Sequence, residues 1–397
     1  MTLDELRRQL DGLDRQLLQI IAERQLTSRE IARVKRSTGY PTRDYRRERE
    51  VILGAREEAG ALGVSPDVAE AIMRLLIRSS LTTQEQASVA AHGSGSGRRA
   101  LVIGGAGKMG AWFVQFLGSQ GFQVQVADPA AAGAAGAAVA GPGAASPAAA
   151  AALRPGAPAD TARSDPIADW RDSDLTHDFI VVAAPLGATN QILRQLAERR
   201  PAGVVLDLGS LKTPLRAGLT ALQAAGVAVT SLHPMFGPDT ELLSGRHVIF
   251  IDLGHAEALA RARALFAPTM AEQVVMQLDE HDRLIAYVLG LSHALNIAFF
   301  TALAQSGAAA PRLLELSSTT FDAQFDIAAK VAEESPELYY EIQQLNEFGA
   351  ESLEALAQAV QAVRGAVLHS DQAAFTALMR AGWEYVQGRR DVAARRA

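Results

Sequence analysis

Two patterns in this sequence carry residue types that could do chemistry. One is Gly105-Ala106-Gly107-Lys108-Met109-Gly110, a GxGxxG in a chain with 33 glycines, so the match alone is weak. Its setting is stronger. The apolar stretch LVIG runs into it, the helical pattern AWFVQFL follows, and Asp128 ends a second apolar stretch 21 residues after Gly107. In such a turn Gly105 allows the tight bend, Gly107 lets the backbone approach a pyrophosphate, and Gly110 lets helix pack on strand. Lys108 and Met109 open the helix, whose N-terminal amides and dipole favour an anion. Asp128 would accept hydrogen bonds from a ribose diol and repel a 2′-phosphate, so the expected cofactor is NAD. The other pattern is a set of polar groups after later apolar stretches. Ser210-Leu211-Lys212 follows GVVLDLG, and His233 opens HPMFGPD after VAVTSL. A histidine between a strand and a proline-rich turn suits proton abstraction near neutral pH. Taken alone, it reads more readily as a hydrogen-bonded loop residue.

Positioning these groups takes several elements. Short apolar strands at ALVIGG, FQVQVAD, FIVVAAP, GVVLDLG, VAVTSLHP and HVIFID alternate with helical patterns, which predicts a doubly wound parallel α/β sheet over 100–278. An Ala/Gly/Pro-rich, low-complexity insertion at 129–167 interrupts it and is assigned no chemistry. From about Asp279 strand signals stop, and helical patterns fill 279–397. There the run LIAYVLGLSHALNIAFFTALA is broken by Gly290, Ser292, His293 and Asn296, which fits a buried interface helix better than a membrane span.

Residues 1–90 read as helical. Leu6, Leu10, Leu13, Leu17 and Ile20 or Ile21 keep helical spacing, Thr2 and Glu5 form a capping box, and no breaker precedes Gly39 and Pro41. That predicts a first helix of about 35 residues, roughly 50 Å long. A second helix starts near Tyr45 and a third after Ser65-Pro66-Asp67. A helix so long in so small a unit cannot bury its own apolar stripe, so a second copy is expected to cover it, making a homodimer. Residues 91–99 (AHGSGSGRR) read as a flexible linker.

Composition sets the limits. At 397 residues, 48% hydrophobic and 21% charged, the chain is long enough for two or three domains with sizeable cores. Without cysteine it has no disulfide, thiolate metal site or thiol nucleophile. His281 and His293 lack metal-ligand spacing, so no metal is expected. No leader-like apolar stretch is present at the N-terminus, which leads to the expectation of a soluble, cytoplasmic protein with no membrane partner. Net charge is −6, yet residues 1–88 hold 15 Lys+Arg against 14 Asp+Glu. A nucleic-acid binder would show a basic excess, so none is expected to bind, and the many arginines need another purpose.

The string SLHPMFGPD, with DLGSLK before it and EHDRLIAYVLGLSH after it, resembles prephenate dehydrogenases. LRRQLDGLDRQLLQIIAER, Lys35, PTRDYRRERE and SSLTTQEQ resemble the all-helical class of chorismate mutases. In this order they resemble the bifunctional chorismate mutase/prephenate dehydrogenases of tyrosine biosynthesis, over nearly the whole chain apart from 129–167. The resemblance implies a multidomain protein: an all-α mutase domain, a Rossmann-type NAD domain and an all-α dimerisation and substrate domain. It implies mutase residues Arg7, Arg24, Lys35, Asp44, Arg47, Glu48, Ser80 and Gln84, with Lys35 and Gln84 bracketing the ether oxygen and Arg7 serving the partner's site. Helix geometry agrees. Arg24 and Lys35, eleven residues apart, lie about 20° from eclipsed, while Arg7 lies about 100° off that face. Chorismate to prephenate is a pericyclic step that needs a clamped dicarboxylate and a stabilised ether oxygen, which arginines supply.

For the second reaction the resemblance implies His233 as base on the substrate 4-hydroxyl, with Ser210 beside it and His293 on the substrate side. Hydride transfer to NAD and loss of CO2 then give 4-hydroxyphenylpyruvate. Where the family carries an arginine for a substrate carboxylate this chain has Lys330, which keeps the charge without the bidentate fork. An earlier arginine of some relatives is Asp322, and Tyr339 matches a tyrosine linked to end-product inhibition. Two alternatives stand beside this reading. One is the same chemistry on 4-amino-4-deoxychorismate and its prephenate analogue; the other is N-terminal helices that serve only dimerisation or regulation.

Overall fold

The Thr2 hydroxyl accepts from the Glu5 amide while the Glu5 carboxylate accepts from the Thr2 amide, and this capping box starts helix α1, Leu3–Thr38. The computed structural model describes residues 2–131 and 166–396. Of the low-complexity tract at 129–167, residues 132–165 therefore lie outside the described residues. Gly39, left-handed at φ 71°, ends α1. Asp44 caps α2, Tyr45–Ala61, and Pro66 opens α3, Pro66–His92. α3 packs against both α1 and α2. Only Ser28 and Ala32 of α1 are buried, and Leu6, Leu10, Leu13 and Leu17 stay 44–59% exposed. One protomer leaves this stripe uncovered.

The segment at 91–99, read from composition as flexible, is packed. Gly95 donates its amide to Gln120 O at 3.0 Å. A Cβ on Gly93 would sit 2.4 Å from Gln120 O, and one on Gly95 would sit 2.3 Å from Phe122 N. These glycines serve close approach, not freedom.

The sheet comprises β1 (Arg99–Ile103), β2 (Gln123–Ala127), β3 (Phe179–Val182), β4 (Val204–Asp207), β5 (Val229–Pro234), β6 (His247–Ile251) and β7 (Glu272–Met276), in the order β2-β1-β3-β4-β5-β6-β7. Strands β1 to β5 pair in parallel, as expected. β6 runs antiparallel to β5, which departs from the all-parallel expectation, and β7 adds an unforeseen edge parallel to β6. Helices α4 (Lys108–Ser119) and α7 (Ala256–Phe266) cover one face, where Phe113, Leu117, Phe250 and Phe266 form a core. Helices α5 (Leu186–Arg199) and α6 (Arg216–Ala224) cover the other, with Leu101, Ile180, Leu193, Leu196 and Leu219 beneath. The chain leaves β1 toward β2 and returns to β3 on the opposite side, so the switch point lies between β1 and β3.

After β7 the described residues are helical. Helix α8 (Leu278–Ile285) runs through a π-helical segment (Ala286–Leu291) into α9 (Ser292–Gln305). Then come α10 (Ala310–Leu314), α11 (Thr319–Ala332), α12 (Pro336–Gln344), α13 (Gly349–Leu368) and α14 (Gln372–Arg396). Val89 of α3 joins the core of the sheet domain, and the side chains of Glu85 and Arg43 also bind the N-terminal helices to that domain. Glu85, 3% exposed, accepts from the amides of Leu243 (2.8 Å) and Met270 (2.5 Å), and Arg43 donates to the Ser244 hydroxyl at 2.6 Å.

Candidate active sites

At the end of β1, Gly104 turns with φ +82°, and its amide donates to Ala127 O at 2.9 Å. A Cβ on Gly110 would lie 2.1 Å from Gly104 O, and one on Gly105 would lie 2.8 Å from Val126. The glycines therefore let α4 and β2 close on the turn. Gly107 starts α4 with no side-chain cap, so the first amides of the helix remain for an anion at the switch point. Asp128 follows β2 and accepts from Ala106 N at 3.1 Å and Ala130 N at 2.9 Å, which fixes its carboxylate against the glycine turn. This cradle fits a dinucleotide: pyrophosphate on the α4 amides, ribose diol at Asp128. Met109 packs on the core, and Lys108 reaches across to Glu334 at 3.1 Å.

His233 lies in β5, 5% exposed, in register with Ile249 of β6. Its Nδ1 is 2.9 Å from Nε2 of His281, whose Nδ1 is 2.6 Å from Asp282 Oδ1. Beneath them Lys212, fully buried, donates to Asp207 Oδ1 at 2.9 Å and to Leu232 O at 2.6 Å. Burial, then the charges of His281 and Lys212, hold the His233 ring well below the ordinary histidine value. Burial lowers His281 too, against the pull of its bond to Asp282. Asp282 ends below the usual carboxylate range: burial would raise it, but bonds from His281 and Thr213 prevail. Ser210 is half-buried beyond β4, and no hydrogen bond joins it to His233.

In the helical region, the His293 ring meets Tyr339 edge-on at 4.3 Å, and burial pushes its pKa down to about 4. Lys330 is exposed on α11, and Asp322, in the first turn of α11, accepts from the Ser317 hydroxyl at 2.5 Å.

Among the N-terminal helices, Arg24 bridges α1 to α3 through Leu76 O (2.8 Å) and the Ser80 hydroxyl (2.5 Å). Gln84 donates to the Ser28 hydroxyl at 3.2 Å, leaving its buried Oε1 without a partner. Lys35 donates to Thr42 O at 2.7 Å. Asp44 caps α2 through the Arg47 amide at 3.0 Å, and the Arg47 side chain turns outward to Glu50. Glu48 is engaged by both arms of Arg43 at 2.9 and 3.0 Å. Arg7, 69% exposed, lies 3.7 Å from Asp4. So α1 and α3 bring Arg24, Ser80 and Gln84 together, and Arg7 and Arg47 stand apart. His281, Asp282, Arg43 and Glu85 were not picked out from the sequence as site residues. The one available signal was the adjacent His-Asp pair in EHDRLIAY.

A glycine cradle at the switch point of a doubly wound sheet, with a buried histidine pair between β5 and α8, defines an NAD-dependent oxidoreductase; here a helical domain precedes it. Three family models match the chain: chorismate mutase type II over 6–85, the nucleotide-binding domain of prephenate dehydrogenase over 136–275, and the prephenate dehydrogenase dimerization domain over 277–381. The T-protein of Enterobacter agglomerans is 28% identical over 341 residues, covering 86% of this chain and 81% of that one. A 4-amino-4-deoxyprephenate dehydrogenase of Streptomyces pristinaespiralis is 29% identical over 281 residues, 70% and 88% of the two chains. The fold is shared with the A. aeolicus prephenate dehydrogenase crystallised with hydroxyphenyl propionate and NAD+ (TM-score 0.55, 16% identity, 75% of this chain and 99% of that one). The chain belongs to the bifunctional chorismate mutase/prephenate dehydrogenase family.

Proposed function

We propose that α1–α3 rearrange chorismate to prephenate, and that the α/β and C-terminal domains oxidise and decarboxylate prephenate to 4-hydroxyphenylpyruvate. The observation that carries this reading is the coexistence, in one chain, of the Arg24–Ser80–Gln84 cluster with the His233 chain in the same sheet domain as a dinucleotide cradle. In the mutase site Arg24 clamps a carboxylate, and Lys35 and Gln84 stabilise charge on the breaking ether from two sides. Arg47, Asp44, Glu48 and Ser80 frame the pocket, and Arg7 of a second copy closes it. In the dehydrogenase, His233 accepts the proton of the 4-hydroxyl at its free ring nitrogen, assisted by Ser210, while His293 and Lys330 hold the substrate. Gly105, Gly107, Lys108, Met109, Gly110 and Asp128 would hold NAD, which would supply the acceptor for a hydride from the hydroxyl-bearing carbon, and departure of CO2 makes the ring aromatic. The depressed ring value keeps His233 neutral, and so a base, at neutral pH.

A homodimer follows from the uncovered α1 stripe and from exposed Tyr287, Val288 and Leu295 on the helix Leu278–Gln305. That helix is long and apolar enough to cross a membrane, with an 18-residue window of mean hydropathy 1.6. Its first turn is instead tied to the sheet domain, with Asp279 paired to Arg216 and Asp282 to Thr213. We assign its apolar face to the partner protomer and the enzyme to the cytoplasm. The 4-amino substrate series is the second reading, favoured by Lys330, Asp322 and the Streptomyces relative. The deciding experiment supplies chorismate and NAD to the purified protein. NADH with 4-hydroxyphenylpyruvate is the expected result. Prephenate accumulating without NADH would transfer the second reaction to the amino analogue.

A further inference from the structure

His281 and Asp282 occupy no position that the substrate or cofactor roles require, yet both side chains are fully buried and bonded in one direction. The Asp282 carboxylate receives the Lys212 amide (2.9 and 3.0 Å to its two oxygens), the Thr213 amide (2.7 Å) and the Thr213 hydroxyl (2.6 Å). Surrounded by donors, it acts only as an acceptor, so the hydrogen in its 2.6 Å contact with His281 belongs to His281 Nδ1. Neutral His281 then presents a lone pair at Nε2. The 2.9 Å contact from that atom to His233 Nδ1 requires the hydrogen to sit on His233 Nδ1.

We infer that Asp282 and His281 are positioning residues that hold His233 in the one tautomer whose Nε2 is free to take the substrate proton. The inference rests on the dehydrogenase reading of His233 and adds the device that prepares it. When His233 Nε2 takes the proton, the ring becomes an imidazolium whose Nδ1–H stays bonded to His281, and Asp282 remains a carboxylate throughout. The alternative arrangement is inactive. A second proton on His281 would make its Nε2 a donor, forcing His233 to accept at Nδ1 and carry its own hydrogen on Nε2. The charged neighbours of the pair are Lys212 and Asp207 at the end of β4 and Asp282 on α8. Burial together with the Lys212 charge favours the neutral, active arrangement.

The test uses the full-length protein labelled with 15N-histidine, with His233→Asn to assign the His233 signals. Long-range proton–nitrogen correlations near pH 7.5 should show His233 protonated at Nδ1 and bare at Nε2; the opposite tautomer overturns the inference. In parallel, His281→Leu should lower dehydrogenase kcat by about 10²-fold or more, with KM for substrate and NAD within about threefold. His281→Gln, whose carbonyl oxygen reaches the former Nε2 position, should recover about tenfold of that loss and move the acid limb of the pH profile. Equal kcat in Leu and wild-type proteins, or no difference between Leu and Gln, would refute it. Mutase turnover by the same molecules checks their folding, and if His281→Leu fails to fold, the wild-type tautomer decides. If the wild-type protein oxidises no substrate, the reading of His233 as base fails, while the tautomer still reports on the positioning.

Discussion

The two active sites solve opposite problems. In the mutase region the charged groups stay near water: Arg7 and Arg47 are each 69% exposed, and no chain of hydrogen bonds links Lys35 to Gln84. In the dehydrogenase region Lys212, Asp207, His281 and Asp282 have no exposed side-chain surface; Lys212 donates to Asp207 through its ammonium and to Asp282 through its amide, and Asp282 is bonded to His281. The chemistry accounts for the contrast. A pericyclic rearrangement needs a charged substrate gripped in one conformer, so its cations must stay accessible to an incoming dicarboxylate. Proton abstraction needs a base in a fixed tautomer and charge state, which burial and a hydrogen-bonded network provide. In the proposed reading the first site is completed by a neighbour, whereas the second has its proton path within one chain.

The largest expected effect separates the two outright. His233→Ala should cost the dehydrogenase about 10³-fold in kcat and leave prephenate formation intact, as paired NADH and prephenate assays would show. A comparable loss of both would mean the sites are not separate. Next, Lys35→Ala should cost the mutase about 10²–10³-fold, the scale for losing one donor to a developing oxyanion. Arg7→Ala should be similarly damaging, but mixing the two inactive proteins should restore about a quarter of the mutase rate, because half the dimers are mixed and each holds one intact site. No recovery would place Arg7 in its own protomer's site.

Gly110→Ala sharpens the comparison from the cofactor side. The new methyl would lie 2.1 Å from Gly104 O, so about 1–3 kcal/mol of overpacking should appear as weaker NAD binding by calorimetry, with mutase kinetics unchanged. For pH, the sign follows from the lowered His233 value: the base is unprotonated, and active, above its pKa. Dehydrogenase kcat/KM should therefore hold through pH 6.5 and fall only below it, whereas a histidine at its ordinary value would already be half inactive there. The smallest effect is Lys108→Ala, which removes an ion pair 72% and 42% exposed; NAD affinity should change by less than about 1 kcal/mol.

What the sequence made legible was local. The capping box, the length of α1, the proline start of α3 and the glycine turn with Asp128 all depend on residues close in the chain, and each is present where its spacing put it. Strand direction leaves no trace in periodicity, so the reversal of β6 was invisible, and the half-buried EQVVM of β7 offered no continuous apolar run. Gly93 and Gly95 were misread because composition does not distinguish glycine that frees a chain from glycine that lets two backbones touch. His281 sits 48 residues from His233, and only the packing of α8 against the end of β4 brings the rings together. Lys212 was visible as a polar group after a strand, but its complete burial against Asp207 was not.

The π-helical segment at 286–291 acts as a phase corrector. Twelve residues separate His281 from His293, and an unbroken α-helix would leave them about 120° apart around its axis. One widened turn absorbs a single extra residue, taking back about 100° and bringing the two positions to within about 20° of one line. In the proposed reading the helix thus carries one histidine for the proton path and, along the same line, another for the substrate side. Removing one residue from this segment would restore an ordinary α-helix with the two positions eleven residues apart, still about 20° from one line, so substrate affinity and the proton chain should both survive.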